Sequence, residues 1–171
     1  MNWSWGFLII GLSLMGSILT VGATRNLVRN PSAEEGKDTP ADWIFWTRTN
    51  GKGVWDDKVA HSGRRSLRID GSNSNDNWSQ RNIPVQPGYL YRFRVWIRQE
   101  RCYPWGPDVV ITAQNAQGQA LQSWQFRGRR GTRDWYPLEG YFVLPSNAVK
   151  LQIELRLLLL PGRVWFDDVS L

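Results

Sequence analysis

Three adjacent carboxylate pairs, Glu34-Glu35, Asp56-Asp57 and Asp167-Asp168, are the first candidates for chemistry. Glycoside hydrolysis needs two carboxylates facing each other across a substrate. Sequence neighbours on a strand point to opposite faces, so these pairs are poorly placed for that work. The chain holds one histidine, His61, and one cysteine, Cys102. That inventory excludes an internal disulfide and a zinc site. No phosphate-cradling glycine loop and no nucleophile elbow appears. These absences point to a protein that binds and does not catalyse.

Binding chemistry is better supplied. Nine of the eleven tryptophans lie beyond residue 25. An exposed indole or phenol offers a flat apolar face on which the C–H face of a sugar ring can stack. Trp46, Trp105 and Trp124, with Tyr103, are the candidates for such a glycan or partner contact. Tyr103 and Trp105 fall in the Pro-Gly-rich stretch Tyr103–Pro107, a loop by composition. Core packing is the competing role for each.

The charge is +6, with a pI near 9.9. Such a surface favours anionic partners: acidic glycan, lipid headgroups, acidic protein faces or nucleic acid. Arg92, Arg94 and Arg98 share a strand face with Trp96, and Arg129 and Arg130 sit in the basic turn Arg127-Gly128-Arg129-Arg130-Gly131. Arginine suits planar pairing with carboxylate or phosphate. Leu157-Leu158-Leu159-Leu160 cannot all face one core from a period-2 strand, so Leu158, Leu159 and Leu160 are expected at an apolar contact.

The elements that position these groups are strands. Tyr89, Tyr91, Phe93, Val95 and Ile97 alternate with Leu90, Arg92, Arg94, Trp96 and Arg98. Val149, Leu151, Ile153, Leu155 and Leu157 alternate with Lys150, Gln152, Glu154 and Arg156. Period-2 alternation predicts half-buried strands. Turn signals such as Asn50-Gly51, Pro87-Gly88, Gln117-Gly118 and Pro161-Gly162 separate many short segments. The expected fold is all-β, a sandwich of two antiparallel sheets. Residues 71–77 (GSNSNDN) are the most polar stretch and are expected to be a loop.

The first 23 residues contain no Lys, Arg, Asp or Glu. Phe7–Ala23 is apolar or small throughout, and counting from Trp3 gives membrane-spanning length. Trp3 and Trp5 would sit at the headgroup interface. Residues 1–25 are therefore expected to be a single transmembrane anchor. Val21-Gly22-Ala23 also fits a signal-peptide cleavage site, the rival reading. Arg25 and Arg29 would place the domain in the cytoplasm by the positive-inside rule.

Read in order, the motifs resemble carbohydrate-binding module family 4/9. They are Asn30-Pro31-Ser32-Ala33-Glu34-Glu35-Gly36, Pro40-Ala41-Asp42-Trp43, Ala60-His61-Ser62-Gly63, Val85-Gln86-Pro87-Gly88, Asp134-Trp135 and the closing Trp165-Phe166-Asp167-Asp168-Val169. The resemblance covers residues 26–171 and implies a non-catalytic jelly-roll. It assigns Trp43, Trp78, Trp96, Trp135 and Trp165 to core positions. It also implies a structural calcium ion, with Glu34 and Asp167 as ligands and Asp57 as a third. Ala33 stands where the family usually has a large apolar residue. The family's extracellular character favours a periplasmic or extracytoplasmic domain.

Two functions are expected from these observations. The first is an accessory scaffold, anchored in the membrane and docking onto integral-membrane subunits, with a respiratory or photosynthetic complex as a plausible host. The alternative is glycan binding at the cell envelope, with polysaccharide as partner. An exported, anchored module excludes nucleic acid.

Overall fold

The computed structural model describes residues 25–159 and 161–171. The anchor expected over residues 1–25, with Trp3 and Trp5, falls almost wholly outside these residues, as does Leu160. Ten strands form, and among the described residues there is no helix.

Five strands make the first sheet, in the order β1 (Ile44–Thr47), β4 (Asn75–Pro84), β9 (Lys150–Leu158), β6 (Asp108–Gln114) and β7 (Ala120–Arg127). Five make the second: β2 (Lys52–Asp56), β3 (Ser66–Asp70), β10 (Arg163–Ser170), β5 (Leu90–Cys102) and β8 (Gly131–Val143). Every pairing is antiparallel. The chain crosses repeatedly between sheets, as a jelly-roll requires.

The two alternating runs become β5 and β9. Phe93, Val95 and Ile97 from one sheet meet Leu151, Ile153, Leu155 and Leu157 from the other, and all seven are fully buried. Val109, Ile111 and Ala113 of β6 and Val164 and Phe166 of β10 complete the layer between them. The opening segment closes onto the end of β10, with Leu27 N donating to Leu171 O at 2.9 Å and Val169 N to Pro31 O at 2.9 Å.

Two expectations need correction. The polar stretch 71–77 is half strand, since β4 begins at Asn75. Asp76 points inward and is fully buried. Thr47 Oγ1 donates to it at 2.6 Å and Ser72 N at 2.8 Å, which satisfies the carboxylate without water. The pair Asp167-Asp168 does not face two ways. A bulge in β10 begins at Asp167, and Asp168 takes φ 48°. The bulge turns both carboxylates toward the turn at His61-Ser62.

Candidate functional site

The outer face of the first sheet carries a row of side chains fixed by register. Trp46 pairs with Asn77, Asn77 with Arg156, Arg156 with Asp108, and Asp108 with Arg127. Opposed residues in an antiparallel ladder share a face. Four strand spacings of ~4.8 Å make this row about 19 Å long. Trp78, Leu155, Leu157, Val109 and Ile111 alternate inward, which commits the row to the outside.

Arg156 Nε and Nη2 donate to the two oxygens of Asp108 at 2.9 and 2.7 Å, and Gln125 donates to the same carboxylate. Burial works against the Arg156 charge, but the Asp108 bond outweighs it and raises the guanidinium's pKa. The pair cancels its own charge. Around it the face is amide and hydroxyl, with Ser123 and Gln125 exposed, Thr112 and Gln152 half-buried, and Asn77 buried beneath. Asn75 Oδ1, on the same face, is buried without a hydrogen-bond partner among the described residues. Such a surface suits a ligand rich in hydroxyl groups.

At one end the row opens into a groove of about 290 Å³, lined by Trp105, Gly106, Asp108, Gln125, Arg127, Leu158 and Leu159. Trp105 reaches it from the loop before β6. Its Nε1 donates to Leu158 O at 3.2 Å, which holds the ring at the end of β9 while 46% of the residue stays exposed. The loop can approach closely because residue 106 is glycine. A Cβ there would lie 1.9 Å from Arg129 O. Trp46, 45% exposed, stands at the other end on edge strand β1.

The outer face of the second sheet is built differently. Arg98 and Arg163 both lie over Trp165, each 5.7 Å from its ring centre, and Arg94 lies over Trp96 at 5.1 Å. His61 stacks on Trp96 at 3.9 Å. Beneath them Asp56, 3% exposed, accepts from Trp165 Nε1 at 2.8 Å and Arg68 Nη1 at 2.7 Å. Burial would raise the Asp56 carboxyl, but these bonds and one from Lys58 N hold it below the ordinary value of 3.8. Arg163 pairs with Asp70 and Arg92 with Glu139. The expected basic surface is thus two separate regions. Arg92, Arg94 and Arg98 belong to this ladder. Arg129 and Arg130 adjoin the far end of β5, ten residues or about 33 Å from Arg92.

Of the three expected calcium ligands, Glu34 and Asp57 line one groove with Lys58, Arg64 and Arg65. Asp167 is buried beneath the neighbouring turn. Arg64 N and Arg65 N donate to Glu34 Oε1 at 2.8 and 2.9 Å. His61 N and Ser62 N donate to Asp167 Oδ2, and Asp168 N to Oδ1. Burial pushes the Asp167 carboxyl up to about 6 despite those bonds. Both carboxylates therefore grip the 61–65 turn through N–H donors. Among the described residues no three acidic, histidine or cysteine side chains converge. These bonds occupy Glu34 Oε1 and both Asp167 oxygens, whereas calcium asks for several oxygen ligands turned toward one point.

Two stacking or contact candidates move. Trp124 pairs with Ile111 in register and so points between the sheets, its ring 4.6 Å from that of Phe142. It is partly buried and packs against the core. The leucine run splits: Leu157 is buried, Leu158 half-buried beside Trp105, and Leu159 exposed at φ 55°. Tyr103 is 59% exposed, and Gly131 lies against its hydroxyl. Sequence reasoning passed over Asn77, Asp108, Gln125 and Arg156. Their alternation was visible, but the register that aligns four strands was not.

Among curated proteins none matches in sequence. Solved structures do. The Family 16 Carbohydrate Binding Module-2 is 17% identical, with a TM-score of 0.63 over 85% of this chain and 98% of its own. The CBM22-1 xylan-binding domain from Paenibacillus barcinonensis Xyn10C is 15% identical, with a TM-score of 0.60 over 86% of this chain and 94% of its own. The enzymatically active domain of bacteriophage CBA120 tailspike protein 4 is 16% identical, with a TM-score of 0.68 over 85% of this chain, which spans only 21% of that longer one. At these identities the likeness is one of fold. The family itself is shown by sequence: the model described as "Carbohydrate binding domain" matches residues 25–159, and the chain belongs to that carbohydrate-binding 4/9 family.

Proposed function

We propose that this protein is a non-enzymatic polysaccharide-binding module, with the ligand lying along the outer face of β1-β4-β9-β6-β7. One observation carries the reading. The row from Trp46 to Arg127, about 19 Å long with its central Arg156 and Asp108 paired to each other, carries an exposed indole at its β1 edge and runs into the groove that holds the exposed ring of Trp105. Trp105 stacks on a sugar ring at the groove, Trp46 on one near the opposite edge, and the exposed Gln125 bonds hydroxyls at the groove. Family membership and xylan binding by the Paenibacillus domain support it. The apolar segment 7–23 would tether the module to a membrane, facing the extracytoplasmic space.

Docking onto integral-membrane subunits drew on the expected anchor, the basic surface and the leucine run. With Leu157 in the core and Leu158 beside Trp105, only Leu159 remains exposed among the described residues of that run. The glycan reading is therefore the stronger one.

The test is a titration of the full chain in detergent against cell-wall and plant polysaccharides, followed by tryptophan fluorescence. At least one glycan should quench the signal below millimolar concentration. Trp46→Ala and Trp105→Ala should each weaken that binding about tenfold or more, since a well-packed aromatic anchor is worth about 1.4 kcal/mol or more. No response to any glycan would sink the reading.

A further inference from the structure

Five arginines gather beside the groove: Arg127, Arg129, Arg130 and Arg133 around the β7–β8 turn, and Arg101 near the end of β5. Cys102 pairs with Gly131 and Gln99 with Arg133, so the two segments are adjacent. Arg101 N donates to Thr132 Oγ1 at 3.0 Å. Most of the other arginines in the sheets are engaged with carboxylates: Arg68, Arg92, Arg98, Arg156 and Arg163. Among the described residues Arg101, Arg127, Arg129, Arg130 and Arg133 have no carboxylate within 4.0 Å. The nearby acids are already used. Asp108 holds Arg156, Glu100 lies 3.6 Å from Arg163, and Asp134 lies 3.6 Å from Arg98.

The turn that carries them is braced from below. Gln99 Nε2 donates to Arg129 O at 2.6 Å and to Gly131 O at 3.0 Å. Tyr136 donates its hydroxyl to Gln99 Oε1 at 2.6 Å and accepts from Arg129 N at 2.9 Å. Gln99 and Tyr136 are both buried. Gly128 N donates to Pro107 O at 2.8 Å, which joins the turn to the loop that presents Trp105. A buried network thus holds like charges close together, at a cost in mutual repulsion that an anionic ligand would relieve. Arg127 belongs to both the cluster and the groove.

We infer that the polysaccharide taken by this face is acidic, its carboxylate or sulfate groups pairing with Arg129, Arg130 and their neighbours while a ring stacks on Trp105. The inference rests on the glycan-binding reading and narrows it. Continuity of the cluster with the groove is what selects a glycan over other polyanions. Arginine meets planar carboxylates with two parallel hydrogen bonds, so the cluster selects as well as attracts.

The full chain in detergent is titrated in parallel with polygalacturonate, with neutral xylan and glucan, with duplex DNA and with anionic phosphatidylserine vesicles. Polygalacturonate should bind at least tenfold more tightly than either neutral glycan at low salt, and the gap should close as salt rises. The double variant Arg129→Gln/Arg130→Gln should cut the acidic-to-neutral ratio about tenfold, at a melting temperature close to that of the parent. A neutral glycan bound as tightly as polygalacturonate, or a ratio unmoved by the double variant, overturns the inference and leaves glycan binding standing. No glycan bound at all, with DNA or vesicles retained, overturns both.

Discussion

The two outer faces of this sandwich draw on the same residue types and use them in opposite ways. On the second sheet, arginine and tryptophan are spent on each other. Trp165 lies under two guanidinium groups, and its N–H goes to Asp56. On the first sheet, Trp46 and Trp105 keep exposed ring surface, and Arg127 has no carboxylate partner among the described residues. Counts of aromatic and basic residues therefore do not find a site. The sign of a site is valence left over after the fold has satisfied its own groups.

The comparison can be broken most forcefully at Asp56. Asp56→Ala strips a buried partner from Arg68 and from the Trp165 indole. Breaking such a pair costs about 3–5 kcal/mol, or roughly 6–20 °C in melting temperature for a chain of this size. Glycan affinity at temperatures where the variant stays folded should not move. A loss of affinity there would show that the ladder face binds ligand. The gap between parent and variant should also depend on pH. The Asp56 carboxyl is held below 3.8 in the folded state. Its stabilisation is present above the unfolded pKa and is lost as pH falls through the folded value. The gap between the two melting curves should narrow as pH falls below about 3.8.

Trp105→Ala and Trp46→Ala sharpen the comparison from the other side. Each should lose about tenfold or more in affinity, while the melting temperature changes by only a few degrees, because both rings are already half in water. A large drop in melting temperature would make them packing residues like Trp165.

The smallest effect is expected for calcium. With N–H donors on both Glu34 and Asp167, melting curves in millimolar calcium and in chelator should superimpose. A bound ion at a hundredfold excess over Kd would add about 2.7 kcal/mol, roughly 5–11 °C. A shift of that size would show that the 61–65 turn rearranges around a cation.

The period-2 runs made β5 and β9 readable because each buries one face only, so polarity follows geometry. Trp46 and Trp124 both lie outside the motif positions, which marked both for a contact; Trp46 is exposed and Trp124 turns inward, because nothing local reports whether a strand presents its odd or even positions to the core. That depends on register against β6. The Asp167-Asp168 pair misled for a related reason. One inserted bulge residue reverses the facing of everything after it, and its signal, an aspartate at positive φ, is silent in sequence. The polar stretch 71–77 looked like a loop because buried carboxylates are rare, and only Thr47 and Ser72 make Asp76 tolerable there. The basic turn was legible as basic. That Gln99 and Tyr136 hold it beside Trp105 depends on contacts between residues thirty or more apart.

The placement of β10 bears on how the molecule comes to exist at all. It lies in the middle of its sheet, with β3 on one side and β5 on the other. Residues 163–170 must therefore arrive before either half of that sheet has its neighbour. Nothing nearer in sequence can stand in, and contacts so distant along the chain form slowly. During synthesis β3 and β5 would wait, with open edges, for residues 163–170 to emerge, an interval in which a chaperone or an aggregate could claim them. A chain cut after Gly162 should accordingly lack native near-ultraviolet dichroism. If it kept that signal, the central strand would be a late addition to a sheet already made.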